Sequence, residues 1–187
     1  MNLIKTLTAS ALLVAVSVMG TACSSVQHKD TKDVAYALDF ENHNPEKASI
    51  YVFRHKNDQT HVYRDLYLDG KFVTKIGGCG YFFREVEPGE HTITTYSRYG
   101  TYVRVKINAE AGKDYYMAQG YDPLKITWLT FLPTAMTFEA ASITGGRNSI
   151  KLCPNDLLPD LDGTQPDLPA DATIVDKYLS EEVLSRK

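Results

Sequence analysis

Leu66-Tyr67-Leu68-Asp69-Gly70-Lys71-Phe72-Val73-Thr74-Lys75-Ile76 is the stretch from which the fold is read. Two runs of β-branched, aromatic and aliphatic residues flank Asp-Gly, the pair a tight type I′ hairpin turn favours because both of its central residues need positive φ. Upstream, Ile50-Tyr51-Val52-Phe53-Arg54 has the composition of a strand buried on both faces. Downstream, Tyr81 to Val86 reads as a strand, Pro88-Gly89 as a turn, and His91 to Arg98 as the returning strand. Tyr102 to Ile107 alternates, with Val103, Val105 and Ile107 on a core face and Tyr102, Arg104 and Lys106 on a wet one. Asp114–Gly120, Ile126–Phe131 and Phe138–Ile143 continue the series, and Ser149–Cys153 is a candidate to close it. The expected fold is all-β: an antiparallel β-sandwich or open barrel of about 7–9 strands.

On either side of residues 48–153 the texture changes. Residues 154–187 begin rich in Pro and Asp, which reads as an extended segment crossing the domain. From Ala172 the spacing of Val175, Leu179 and Val183 predicts one short C-terminal amphipathic helix capped near Asp171. Residues 24–47 are polar without a sustained apolar period and read as a tether, with a short helical or strand segment around Val34 to Phe40.

The first 22 residues read as a signal peptide: Lys5 near the start, no charge from Leu7 to Met19, then Gly20-Thr21-Ala22-Cys23. The apolar run is shorter than the roughly 20 residues a membrane span requires. Small residues before Cys23, with Ser24 and Ser25 behind it, resemble the lipobox of bacterial lipoproteins, although Gly20 stands where Leu is usual. Lipidation of Cys23 is the expectation, and the alternative is ordinary cleavage at the same bond with release of a soluble protein. Serine after the cysteine implies, by the same resemblance, an outer-membrane anchor facing the periplasm. Several acyl chains at about 0.8 kcal/mol per buried methylene would hold the protein there.

Without residues 1–22, 165 residues remain, a length that suits one domain. Loss of Lys5 leaves 19 basic against 23 acidic residues, a net charge of −4. No basic stripe breaks that balance, so nucleic acid is not an expected partner. In an oxidising compartment Cys79 and Cys153 are expected to pair. In the chain-entropy model a loop of about 74 residues makes such a bridge worth about 4 kcal/mol. Two separate thiols, or a metal site shared with His55 or His61, are the alternatives.

Side chains able to do chemistry are scattered. His55, Asp58 and His61 share a polar connection without metal-site spacing, and His91 follows a turn. Asp160-Leu161-Asp162-Gly163 has the start of a calcium loop but lacks its remaining ligands. No serine lies in a nucleophile elbow. The reading is therefore no enzyme, no catalytic residue, no metal and no cofactor. Tyr96, Tyr99 and Tyr102 form part of a tyrosine-rich cluster with Tyr115, Tyr116 and Tyr121, and Trp128 and Phe131 lie in a stretch from Ile126 to Phe138 that carries no charge. Tyr96, Tyr99, Tyr102, Trp128 and Phe131 are the expected binding surface, since such side chains give large rigid contacts.

Ile50-Tyr51-Val52-Phe53-Arg54, Tyr67-Leu68-Asp69-Gly70-Lys71, Gly80-Tyr81-Phe82 and Val86-Glu87-Pro88-Gly89-Glu90-His91, in that order, resemble a family of bacterial lipoproteins sharing an uncharacterised domain. The order is similar, more distantly, to the PEGA-type surface β module. The resemblance covers about residues 46–120, rests on turn chemistry, and implies a periplasm-facing β-sandwich on a lipid tether. The expected function is a non-catalytic binding or accessory module of the cell envelope, whose partner is another envelope protein or peptidoglycan. A periplasmic hydrolase and an inhibitor or immunity-like lipoprotein are the alternatives.

Overall fold

The computed structural model describes residues 31–41, 43–55, 63–98, 100–121, 136–154 and 156–177. Helix α1 (Thr31–Leu38) precedes seven strands: β1 (Ala48–Phe53), β2 (Arg64–Leu68), β3 (Lys71–Ile76), β4 (Tyr81–Val86), β5 (Gly89–Arg98), β6 (Thr101–Ala109) and β7 (Asp114–Tyr121). Strand β8 (Met136–Ala141), helix α2 (Ile143–Lys151) and strand β9 (Thr173–Lys177) follow. The strands form two sheets, β4-β1-β7-β8 and β3-β2-β5-β6-β9, which face each other without closing into a barrel.

Side-chain alternation produces both layers of core. In β1, Ile50 and Val52 point between the sheets with Phe82, Met117, Val105 and Ile93, whereas Tyr51 and Phe53 point outward with Tyr81 and Tyr116. All six residues of β1 are buried, as the unbroken apolar run requires. The outward layer is covered by α1 and α2, which contribute Ala37 and Ile150. Helix α1 lies in the stretch read as a tether, and the Tyr51 hydroxyl donates to Ala37 O at 2.7 Å. The Asp-Gly hairpin forms where expected, with φ of 52° at Asp69 and 79° at Gly70.

Three expectations are corrected. The sheets are mixed, since β1 pairs with β7 and β6 with β9 in parallel. Ser149 to Cys153 is no strand: the Ser142 side chain accepts from the Gly145 amide and starts α2, placing Ile143 and Ile150 on one face seven residues apart. The C-terminal helix does not begin near Asp171, because Thr173-Ile174-Val175, all β-branched, extend along the open edge of β6. Residues 178–187 and the expected strand Ile126–Phe131 lie outside the described residues.

Residues 154–172 do cross the domain, as a strap. It starts at the Cys79–Cys153 disulfide, whose Cα atoms are 5.8 Å apart. It then pairs with the rim of β4, where Leu158 N donates to Tyr81 O at 2.8 Å, and drops Leu158 between the sheets and Leu157 into the outer layer. Leu161 N donates to Val73 O and Leu168 N to Gly70 O, stitching β4 of one sheet to β3 of the other. Arg84 pairs with Asp160 and, at 3.6 Å, with Asp162. A guanidinium thus sits at the acidic loop Asp160-Leu161-Asp162-Gly163.

Candidate binding surface

The outer face of the β3-β2-β5-β6-β9 sheet carries a row of aromatic rings. Register sets Tyr67 beside Phe72, and Tyr96 beside Tyr102. The rings meet edge to face, at 5.9 Å between Tyr67 and Phe72, 5.9 Å between Tyr67 and Tyr102, and 5.4 Å between Tyr96 and Tyr102. Phe72 and Tyr67 are buried, at 1% and 5% exposure, whereas Tyr96 and Tyr102 are half-buried. Burial, then the Asp65 charge, pushes the Tyr67 hydroxyl up to about 12. Burial also raises Tyr102, the hydrogen bond with Tyr67 opposing and the Asp65, Tyr96 and Asp171 charges adding to the shift, so both phenols stay neutral. The Arg64 guanidinium lies 5.7 Å from the Tyr96 ring centre. Beyond it Tyr63, 57% exposed, rests against Gly77.

Of the expected surface, Tyr96 and Tyr102 therefore come together, while Tyr99, Trp128, Phe131 and Cys23 lie outside the described residues. The wider tyrosine cluster is not one face. Tyr115 is in the core between the sheets, its hydroxyl donating to Asn108 O, and Tyr116 is on the outer side of the other sheet. Strand parity separates such neighbours, so abundance in the sequence did not mean adjacency.

A second polar and aromatic cluster, under the helices, was missed by the sequence reading. Tyr51 and Tyr116 stack with centroids 4.7 Å apart and planes 10° from parallel. From α2, Arg147 donates to Glu41 at 2.8 Å, Phe40 O at 3.0 Å, Asp114 at 3.2 Å and the Tyr116 hydroxyl at 3.3 Å. Glu85 accepts from the Tyr36 hydroxyl at 2.6 Å and the Asn44 amide at 2.9 Å. Burial pushes its carboxyl up, but those two bonds and the charges of His43 and Lys47 outweigh burial and hold it below the ordinary value. The serine cap and the Ile143/Ile150 spacing were the available signals.

Ser49, His43 and Asp114 meet here, but not as a nucleophile, base and orienting acid. Ser49 Oγ at 3.2 Å and Asp114 Oδ1 at 3.6 Å both face the same ring nitrogen, Nδ1, while Nε2 is 3.0 Å from Tyr36 O. A triad needs its acid and its nucleophile on opposite nitrogens. Ser49 is also buried, at 3% exposure. His91 has Asp69 Oδ2 2.7 Å from Nδ1 and Glu87 O 2.7 Å from Nε2. His55 is exposed and edge-on to Phe53, and Asp58 and His61 lie outside the described residues. Asp156 is the acidic neighbour of Cys79 and Cys153, but the two sulfurs are joined to each other and offer no thiolates to a metal.

Residues 44–123 match the family model described as a protein of unknown function, DUF2846. The chain is similar to an uncharacterized protein of Haemophilus influenzae, 27% identical over 116 residues, covering 62% of this chain and 68% of the relative. The family match runs from just before β1 to the end of β7, leaving β8, α2, the strap and β9 beyond it.

Proposed function

We propose that this chain, with its domain of unknown function at residues 44–123, is a cell-envelope lipoprotein, held by lipid on Cys23 and acting as a non-catalytic binding module in the periplasm. The observation that carries the reading is the pairing of sulfurs. Two of the three cysteines form the Cys79–Cys153 bridge, the mark of an oxidising compartment, and the third is Cys23, behind the uncharged run from Leu7 to Met19. The placement of His43 and His91 supports binding over hydrolysis, since ring nitrogens of both are engaged by backbone carbonyls.

The proposed contact surface is the open end of the aromatic row, Tyr96 and Tyr102 with Arg64; Tyr99, Trp128 and Phe131, expected to share it, lie outside the described residues. Tyr96 and Tyr102 meet at 76° and so present an edge and a face. That shape suits protein side chains better than the flat ring on which a sugar stacks, and another envelope protein is the proposed partner. PEGA-like kinship adds nothing to this reading, and the anchor belongs to the outer membrane.

Metabolic labelling with an alkyne-bearing palmitate tests the anchor. The wild type takes label and sediments with outer membranes, and Cys23→Ser does neither; an unlabelled wild type in the soluble fraction overturns the reading. Crosslinked pull-down from native membranes, with Tyr96→Ala/Tyr102→Ala alongside, tests the binding. One stoichiometric protein, lost with the two tyrosines, is expected, and recovery of peptidoglycan fragments alone would reverse the choice of partner.

A further inference from the structure

Strand β9 is the one strand among the described residues in which no residue is buried, and its Val175 is 37% exposed. Its apolar burial is slight, so its hold on the molecule comes mainly from the parallel ladder with β6. One cross-strand ion pair adds to that: Arg104 grips Asp176 with both forks, at 2.6 and 3.0 Å. An edge attached in this way opens at lower cost than the core strands.

The route to β9 points the same way. Among the described residues, the last backbone bond from the strap to the sheet before β9 is Leu168 N to Gly70 O, at the opposite edge of the sheet. Only Pro169 to Ala172 then separate the strap from Thr173, bent by a bond from Ala172 N to Pro169 O at 3.0 Å. Four residues reach about 14 Å when extended, and a short hinge of this kind favours exchange between chains. Without β9, the edge of β6 from Thr101 to Val105 loses the partner of its backbone donors and acceptors. It then calls for a parallel strand of β-branched residues with a carboxylate opposite Arg104, which the β9 of another copy supplies by construction.

We propose that Thr173–Lys177 exchanges between two copies of this chain, each lending β9 to the β6 edge of the other in a closed two-fold dimer. The proposal stands on the ladder, the hinge and the charge pair, and does not depend on the lipid anchor.

Charge reversal gives the test. In a Cys23→Ala background, Arg104→Asp and Asp176→Arg each place like charges across their own β6 and β9, whereas the two variants mixed restore an opposite pair at both exchanged edges. Size-exclusion chromatography with light scattering is expected to show monomers apart and a heterodimer together, enriched about tenfold over mixed wild-type chains by relief of like-charge repulsion. A second arm leaves the ion pair intact. Tyr102→Cys on one chain and Ile174→Cys on a longer, tagged chain, register partners in the ladder, are mixed and oxidised, and a covalent heterodimer that rises with concentration is expected. Mixtures that stay monomeric and uncrosslinked at every concentration, with wild-type far-ultraviolet spectra, overturn the proposal; failure of the charge variants to fold leaves the cysteine arm decisive.

Discussion

His91 shows what a single side chain can report. Its two ring nitrogens face a carboxylate and a carbonyl, both acceptors, so only the doubly protonated ring fills both bonds. Burial alone would lower its pKa, but the Asp69 bond, the Glu87 carbonyl and the Asp69 charge outweigh burial and raise it. A group raised on folding stabilises fully below its unfolded value, about 6.5 for histidine, and loses that contribution as pH climbs through the folded value. Denaturant titrations of wild type and His91→Gln should therefore differ by about 1 kcal/mol or less at pH 5.5, the scale of a partly exposed pair, and converge by pH 8.5. A gap that widened with pH would mean the ring is neutral. The lone histidine after a turn was visible in the sequence, but its partner is 22 positions away across a hairpin that only pairing reveals. Gly146 is a second case. Inside a helix, alanine should help by about 0.5–1 kcal/mol, but here a Cβ would sit 2.4 Å from the Tyr116 ring. Gly146→Ala should instead lower stability by about 1–3 kcal/mol, the cost of overpacking, and an unchanged or higher melting temperature would refute the close contact.

At the scale of elements, hairpin turns and alternation were legible because their causes are local. The Asp69-Gly70 turn and the Val103/Val105/Ile107 face needed no distant partner to be recognised. What could not be read was set by distant neighbours. The β-branched run at 173–175 had both a helical spacing and a strand composition, and the free edge of β6 decided between them. Helix α2 was hidden because its Ser142 cap lies directly behind a strand. The strap is the element whose removal should cost most. Leu158→Ala empties a site between the sheets and should cost about 2–5 kcal/mol. Replacing Cys79 and Cys153 together with alanine should cost about 4 kcal/mol by the chain-entropy model. Calorimetry checks both, and a loss under about 1 kcal/mol from either would mean that the strap is held mainly elsewhere.

Over the whole molecule, the matched family segment and the working domain are not coextensive. Residues 44–123 hold seven strands, yet Leu158 between the sheets, Leu157 in the outer layer and the bond from Leu161 N to Val73 O all come from beyond that segment. A chain ended after Lys151 should lose its cooperative melt and bind a hydrophobic dye, as expanded states do; a sharp transition near the wild-type temperature would show that the strap is dispensable. The meeting of Tyr96 and Tyr102 was legible, because they lie on consecutive strands, whereas Tyr115 and Tyr116 were divided between two layers by a parity that abundance does not reveal. The bridge from Cys79 to Cys153 also has a consequence in time. A ribosome adds roughly 5–20 residues each second, so across the 74 positions between them Cys79 waits roughly 4–15 s for its partner to be made. Throughout that interval Cys79 has no partner, and the seam beside it is sealed only once Cys153 has been made and an oxidant has reached the pair.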